Sequence, residues 1–582
     1  MIMQNKTCQC QNCKNDFTIE PEDFNFYQKI KVPPPTFCPE CRTIRRLAFR
    51  NERSLYKRKN NAPGKNEEIL SMYAPDSPYI VYDKEYWWSD KWNPLDFGVD
   101  YDPARPFFEQ FGELWQRVPL TPMQQMNVTD SPYVNYVADL KNCYLVFGTG
   151  FSENIRYCNR VHFSKDSQDM LVSSHNELCH DLLDCHGCFH LISSEECISC
   201  LDSYFLYNCR NCNNCFACSN LVNKSYCFFN EQLLKDEYLK KISNLSLSNY
   251  TNYLSIKLKY ENEIKNKAIR KFANIIHSQN CTGHNINKSK NCRTSFDIAE
   301  NAENSKFLVH TLDVKENYDA YGNYRSELFY ESVDNNFGMN NIGVITVYNS
   351  SDCSYCFTCQ ASSNLFGCIG LRSKEYCILN KEYSKEEYGK MRKEIVKQMS
   401  ENPYTDTKGR THIYGDFFPM EISPWAYNET IAQEYFPLSK EEALGRGYKW
   451  REKEKRNYEI DIKNEDLPKD MKDAKDDIIN KVIECAHHGD CNEQCTEAFR
   501  IIPDELAFYR KLDLPIPRLC PNCRHYERLA KRNPMKLWHR KCMCEKENHG
   551  HSGRCKAEFE TSYAPERPEI VYCESCYQKE VY

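Results

Sequence analysis

Apolar runs of the ~18 residues that could cross a bilayer are missing from this chain of 582 residues. With a mean hydropathy of -0.73, an integral helical membrane protein is excluded and no membrane partner is expected. The opening MIMQNKTCQC lacks the apolar core of a secretory leader. The 34 cysteines are therefore expected in a reducing cytoplasm, as metal ligands and free thiols and not as a disulfide framework. Net positive charge is lacking as well, the formal balance being -6, which argues against a generic polyanion binder. Catalytic signatures are absent: there is no Walker loop, no dinucleotide fingerprint, no H-E-x-x-H and no G-x-S-x-G. The reading leans away from an enzyme.

What is present is a duplicated, cysteine-knuckled module at each end. Thr36–Asn51 (TFCPECRTIRRLAFRN) aligns without a gap on Arg518–Asn533 (RLCPNCRHYERLAKRN). Cys10, Cys13, Cys38 and Cys41 stand at the spacing by which two tight turns each offer two thiolates to one tetrahedral zinc. Cys495, Cys520 and Cys523 repeat that spacing; Cys491 fits best as the fourth ligand, with Cys485, His487 and His488 nearby. A second unit follows each module, marked by SMYAPDSPYIVY and TSYAPERPEIVY. At the C-terminus it ends in Cys573 and Cys576, while Cys542, Cys544, His549, His551 and Cys555 compete for two further places; four sulfurs, through Cys542 and Cys555, are the choice. The N-terminal counterpart offers Asn60, Lys65, Asp83 and Tyr86, so it is expected to be metal-free and held by Trp87, Trp88 and Trp92. About three structural zinc ions are expected. Binding free energies of ~10–16 kcal/mol would dominate modules this small.

The charge is unevenly placed. From Arg42 to Lys59 eight basic residues face one Glu52, and from Arg518 to Lys541 eight face one Glu527, so the body between must be strongly acidic. At 100° per residue Arg42, Arg45, Arg46 and Arg50 share one helix face, as do Arg524, Arg528, Lys531 and Arg532. Such guanidinium faces suit phosphate recognition. They suit equally well docking on the protein's own acidic body.

That body carries a second duplication, FACSNLVNKSYCFFNEQLLKDEY from Phe216 matching FGCIGLRSKEYCILNKEYSKEEY from Phe366, 150 residues on. Leu182, Leu191, Cys200, Cys209, Cys218 and Cys227 recur every nine residues, a strand plus a turn, and two such units per coil suggest a parallel β-solenoid. Cys209, Cys212, Cys215 and Cys218 could ligate a cluster, yet the duplicate lacks two of them, which favours buried reduced thiols. The fold class is thus mainly β with α insertions, zinc ribbons at both termini flanking a duplicated β-solenoid (parallel β-helix-like) body. The expected units are a ribbon with a basic helix (1–59), a metal-free second ribbon (60–92), a linker (93–126), a first solenoid block (127–230), a helical insertion (231–276), a second block (277–380), a helix (381–400), a mixed region ending in a charged linker (401–484), a ribbon with a basic helix (485–541) and a last ribbon (542–582).

The words WWSDKWNPLDFG, NETIAQEYFPLSKEEAL, CNEQCTEAFRIIP and SYAPERPEIVYCESCY, with the two arginine segments, resemble an uncharacterised cysteine-rich multi-zinc-ribbon family of very small-genomed bacteria over nearly the whole chain. That family has no assigned function, so the resemblance implies no activity. It does imply cysteines in the second N-terminal ribbon, from which Asn60, Asp83 and Tyr86 depart. The leading expectation is a cytoplasmic zinc-binding scaffold whose basic ends bind RNA or the ribosome. The alternative is a protein–protein interaction scaffold with structural zinc, and the third a redox or metal-cluster enzyme using the body cysteines.

Overall fold

The computed structural model describes residues 4–453 and 458–582. Strands dominate, and most lie in parallel ladders. One sheet of eleven strands runs from Gln125–Thr129 to Glu231–Gln232, all parallel but for the last pair. A second of eight runs from Ile275–Ile276 to Asn336–Ile345, continued by Ser363–Phe366, Glu375–Ile378 and Lys381–Glu382. We call these the first and second stacks.

Their register sets the period. His180 pairs with Ile192, Leu201 with Asn213 and Ser326 with Gly338, so each neighbour lies twelve residues on, with one-residue slips near the start of the second stack. The repeating unit is three residues. In Cys209 to Cys218 every third residue is a fully buried cysteine, and the residue before each next cysteine (Asn211, Asn214, Ala217) has φ between 50° and 53°. The nine-residue recurrence is therefore three of these steps, and the eighteen-residue coil that it suggests is not the register observed.

A left-handed corner every third residue demands a side chain that tolerates αL, and this explains the wealth of asparagine and aspartate. Many of those amides also bond their neighbours one register up, as Asn142 donates to Asn154 and Asn154 to Asp166. The core of the first stack is filled by cysteines and aliphatic side chains. Cys143, Val146, Ile155, Cys158 and Val161 lead its core, and each of the first stack's cysteines donates its thiol to a backbone carbonyl, Cys158 to Arg156 at 3.2 Å and Cys179 to Glu177 at 3.2 Å. Burial pushes the Cys158 thiol up to about 12, so this sulfur is a protonated hydrophobe.

Helices follow each stack. Lys235–Ser243 and Tyr250–Glu263 pack on Phe205 and Phe216, and Lys385–Glu401 opens on a capping box in which Ser384 and Glu387 satisfy each other's backbone N–H. The largest apolar core joins the helix Phe107–Arg117, the second stack and the region after Glu401, with Phe418 in ring contact with Phe111, Trp115 and Tyr355. The charged segment after Trp450, expected as a solvated linker, instead supplies Leu467, Met471, Ala474 and Ile478 to the core of the C-terminal module. Part of it, 454–457, lies outside the described residues.

Candidate metal centres

Three tetra-cysteine groups have all their sulfurs within 4.8 Å of one another: Cys10, Cys13, Cys38 and Cys41; Cys485, Cys495, Cys520 and Cys523; Cys542, Cys555, Cys573 and Cys576. Bonds of ~2.3 Å to a tetrahedral ion place sulfurs about 3.8 Å apart. Observed separations are 3.7 Å for Cys13–Cys38, 3.5 Å for Cys520–Cys523 and 4.0 Å for Cys555–Cys573. All three groups share one scaffold. The third cysteine caps a helix, Cys38 before Pro39–Leu47, Cys520 before Pro521–Ala530 and Cys573 before Glu574–Val581. Its backbone N–H donates to the first sulfur at 3.2 Å in every case, Cys38 to Cys10, Cys520 to Cys485 and Cys573 to Cys542.

That shared bond identifies Cys485 as the counterpart of Cys10 and corrects the choice of Cys491. Ile483–Glu484 pairs antiparallel with Ala498–Phe499, which puts Cys485 at the mouth of a hairpin just as the pairing of Gln9 with Asp16 does for Cys10. The hairpin loop is longer here, so the knuckle loses its short spacing. Cys491 sits in that loop, 3.8 Å from Cys523, in a separate group with His487 and Glu493. The remaining chosen ligands all fall in their groups. Within them the thiols hydrogen-bond one another, which pulls Cys10 down while Cys38 and Cys41 are pushed up, and pulls Cys520 down while Cys485, Cys495 and Cys523 are pushed up. Four sulfurs so close together are the donor set that a thiophilic cation takes, giving up their protons to it.

The second N-terminal unit keeps the frame and replaces the sulfur. Asn60, fully buried at the position of Cys542, accepts the Asp83 backbone N–H at 3.1 Å and donates to the Asp83 carboxylate at 2.9 Å. Asp83 in turn accepts the Tyr86 N–H at 2.9 Å, capping Lys84–Trp88. Hydrogen bonds hold here what thiols hold elsewhere. Trp87 is buried and Trp92 packs on it, while Trp88 is exposed.

The arginine faces are not available to a phosphate. Arg42, Arg45, Arg46 and Arg50 are 1–5% exposed, and Arg524 and Arg528 8% and 3%. Arg42 donates to Asp319 at 3.0 Å, Arg46 to Asp319 at 2.9 Å and to Glu331 at 2.8 Å, Arg45 to Glu331 at 2.8 Å, and Arg50 pairs with Asp334 at 2.9 Å. The C-terminal helix repeats this on the other stack. Arg524 reaches Asp169 at 2.6 Å, Arg528 reaches Asp169 at 2.8 Å and Asp181 at 3.4 Å, and Arg532 lies 3.8 Å from Asp184 and 2.7 Å from Asp297, with Lys531 3.0 Å from Glu195. Asp169, Asp181 and Asp184 stand 150 residues before Asp319, Glu331 and Asp334, so the two duplications interlock. Even the rings correspond, Arg42 over Phe307 and Arg524 over Tyr157. Nothing supports a nucleic-acid surface on these eight residues, since each is already paired with a carboxylate of the body.

The N-terminal module thus docks on the second stack and the C-terminal module on the first. The segment after the first arginine helix reaches the second helix, where Arg53 donates to Asn522 at 2.9 Å. Glu52, fully buried, bonds Arg50 at 2.6 Å and lies 3.3 Å from Arg160 of the first stack; against the penalty of burial, Arg160 and Arg50 hold it down to about 2. Beside this crossing lies a cavity of about 400 Å³ lined by Asp184, Glu196, Arg270, His284, Arg532 and Tyr563 among others. Burial pushes Asp184 there up to about 7 despite Arg532, with Asp297 and Glu196 adding to the rise.

No protein-family model and no curated protein matches the sequence. No helix among the described residues is long and apolar enough to cross a membrane. The groups that could hold a metal ion among those residues all belong to the terminal modules and to none of the body cysteines.

Proposed function

We propose that the chain is a cytoplasmic scaffold in which structural zinc stiffens the terminal ribbons so that each can lock one stack with a buried arginine helix. The stacks on this reading are narrow β-solenoids with four three-residue sides per turn. One observation carries the proposal: the same arginine-to-carboxylate set occurs twice, buried both times, on helices whose first turn is formed by a pair of candidate thiolate ligands. Breaking a buried ion pair costs about 3–5 kcal/mol, so such a helix needs a rigid mount. Four-thiolate sites are closed and leave no position open for substrate, which favours a structural role for the metal. The outer faces of the stacks are left for a protein partner, and the exposed column of Phe151, Phe163 and His175, rings 4.9 Å apart, is the kind of rigid aromatic surface that such a partner uses.

Chelation tests this. Stripping the metal under reducing conditions is expected to lower the melting temperature and to speed amide exchange in Arg42–Asn51 and Arg524–Asn533, with matching loss of protection around Asp319 and Asp169. Unchanged exchange in those segments after complete removal would overturn the locking role. Partners retained from native extract should survive nuclease treatment; retention that vanishes with nuclease would restore the nucleic-acid alternative.

A further inference from the structure

The last module holds more donors than one tetrahedral ion can use. Beside its four thiols, Cys544, His549, His551 and Cys576 form a second group with all donor atoms within 4.8 Å, and Cys576 belongs to both. His549 Nδ1 is 3.1 Å from Cys544 Sγ, and His551 Nε2 is 3.4 Å from Cys576 Sγ. A tetrahedral ion with bonds of ~2.3 Å to sulfur and ~2.0 Å to nitrogen spaces the two about 3.5 Å apart.

The far side of each imidazole is fixed as a ligand histidine's must be. His549 Nε2 lies 3.3 Å from the Glu580 carboxylate, and His551 Nδ1 lies 2.8 Å from the Gly553 carbonyl. A carboxylate or carbonyl accepting the outer N–H sets the tautomer and turns the bare nitrogen inward. Cys544, His549 and Cys576 are all nearly buried, at 0%, 5% and 1% exposure. At the equivalent thiol of the first module, Cys41, an amide stands instead, Asn12 Nδ2 donating to the sulfur at 3.3 Å. There one ion suffices.

We propose that the last ribbon, residues 542–582, is a two-ion centre, a zinc held by Cys544, His549, His551 and Cys576 beside the zinc of Cys542, Cys555, Cys573 and Cys576, with the Cys576 thiolate shared between them. This rests on the structural-zinc reading above. Five thiolates and two zinc ions leave one negative charge, and Lys579, whose Nζ bonds the His549 carbonyl at 2.7 Å, stands beside it.

Zinc counted on the purified full chain by native mass spectrometry and elemental analysis tests the proposal. The His549→Ala/His551→Ala variant is expected to carry one zinc fewer than the parent, Cys555→Ser/Cys573→Ser one fewer, and the four substitutions together two fewer. In the cobalt-loaded chain, the histidine variant should lose the visible bands of a mixed sulfur–nitrogen site and keep those of the all-sulfur sites. If the double alanine variant does not fold, His551→Gln gives the same readout. A histidine variant with the parental zinc count, or a combined variant short of only one ion, overturns the shared centre. A parent chain with no zinc in any module would overturn the structural-zinc reading itself.

Discussion

Asn211 stands at φ 50° and passes its side-chain amide to Asn223, twelve residues on, and dozens of residues along both stacks share that backbone. The αL region costs most residues about 1–2 kcal/mol and asparagine much less. Asn211→Val is therefore expected to destabilise by about 2 kcal/mol, the corner strain plus the lost ladder bond, and Asn211→Gly by less, read from denaturant midpoints. With only 20 glycines in the chain, asparagine and aspartate carry the turning. His284, on the cavity wall, shows a second residue-scale effect. Burial, aided by Arg532 and opposed by Asp297, lowers it to about 4. The unfolded chain takes its proton near pH 6.5 and the folded chain does not, so stability present above 6.5 drains away as the pH falls toward 4, by up to about 3 kcal/mol. A His284→Gln variant should show a flatter stability profile across that window than the parent.

At the scale of elements the arginine helices are the joints. Asp319→Asn removes the charge facing both Arg42 and Arg46, and Asp169→Asn does the same for Arg524 and Arg528. Each is expected to cost about 3–5 kcal/mol in chemical denaturation, and the two losses should be alike because the joints are copies. The knuckles were legible because two turns gripping one ion enforce a short spacing, and for Cys38, Cys41, Cys520, Cys523, Cys573 and Cys576 that spacing survives. Cys485 escaped it because a long hairpin loop separates it from Cys495, and the Cys520 N–H bond and the strand pairing of Glu484 with Ala498 reveal it. The body's period was half visible: sulfurs nine apart catch the eye, whereas the three-residue step is written in Asn208, Asn211, Asn214, Asn220 and Asn223, whose αL role has no meaning until the corners are seen. The arginine stripes could be read from helical periodicity, but their partners lie on other elements hundreds of residues away. One signal for them existed, since the 150-residue repeat that links Cys218 to Cys368 also links Asp169 to Asp319.

Across the whole molecule the docking is exchanged, first module on second stack and last module on first. The main arginine joints therefore cross the chain, while Glu52–Arg160 and Arg532–Asp297 tie each terminal module to the other stack as well. Metal loss at one end should accordingly loosen the remote stack more than the near one. Chelation followed by solution scattering is expected to show expansion, and site-resolved exchange to assign the first opening at Cys10–Cys41 to strands near Asp319. The acidity of the body and the basicity of the tips, opposite on paper, cancel across this buried seam.

The crossed seam also has a history in time. Arg42 emerges 277 residues before Asp319, and at roughly 5–20 residues per second the N-terminal helix waits about 14 to 55 s for its acceptor. The C-terminal helix, by contrast, finds Asp169 already made. Vectorial synthesis thus leaves one polycationic segment bare beside ribosomal RNA for about half of translation and the other for almost none, so two mature copies of one joint are born into unequal risk.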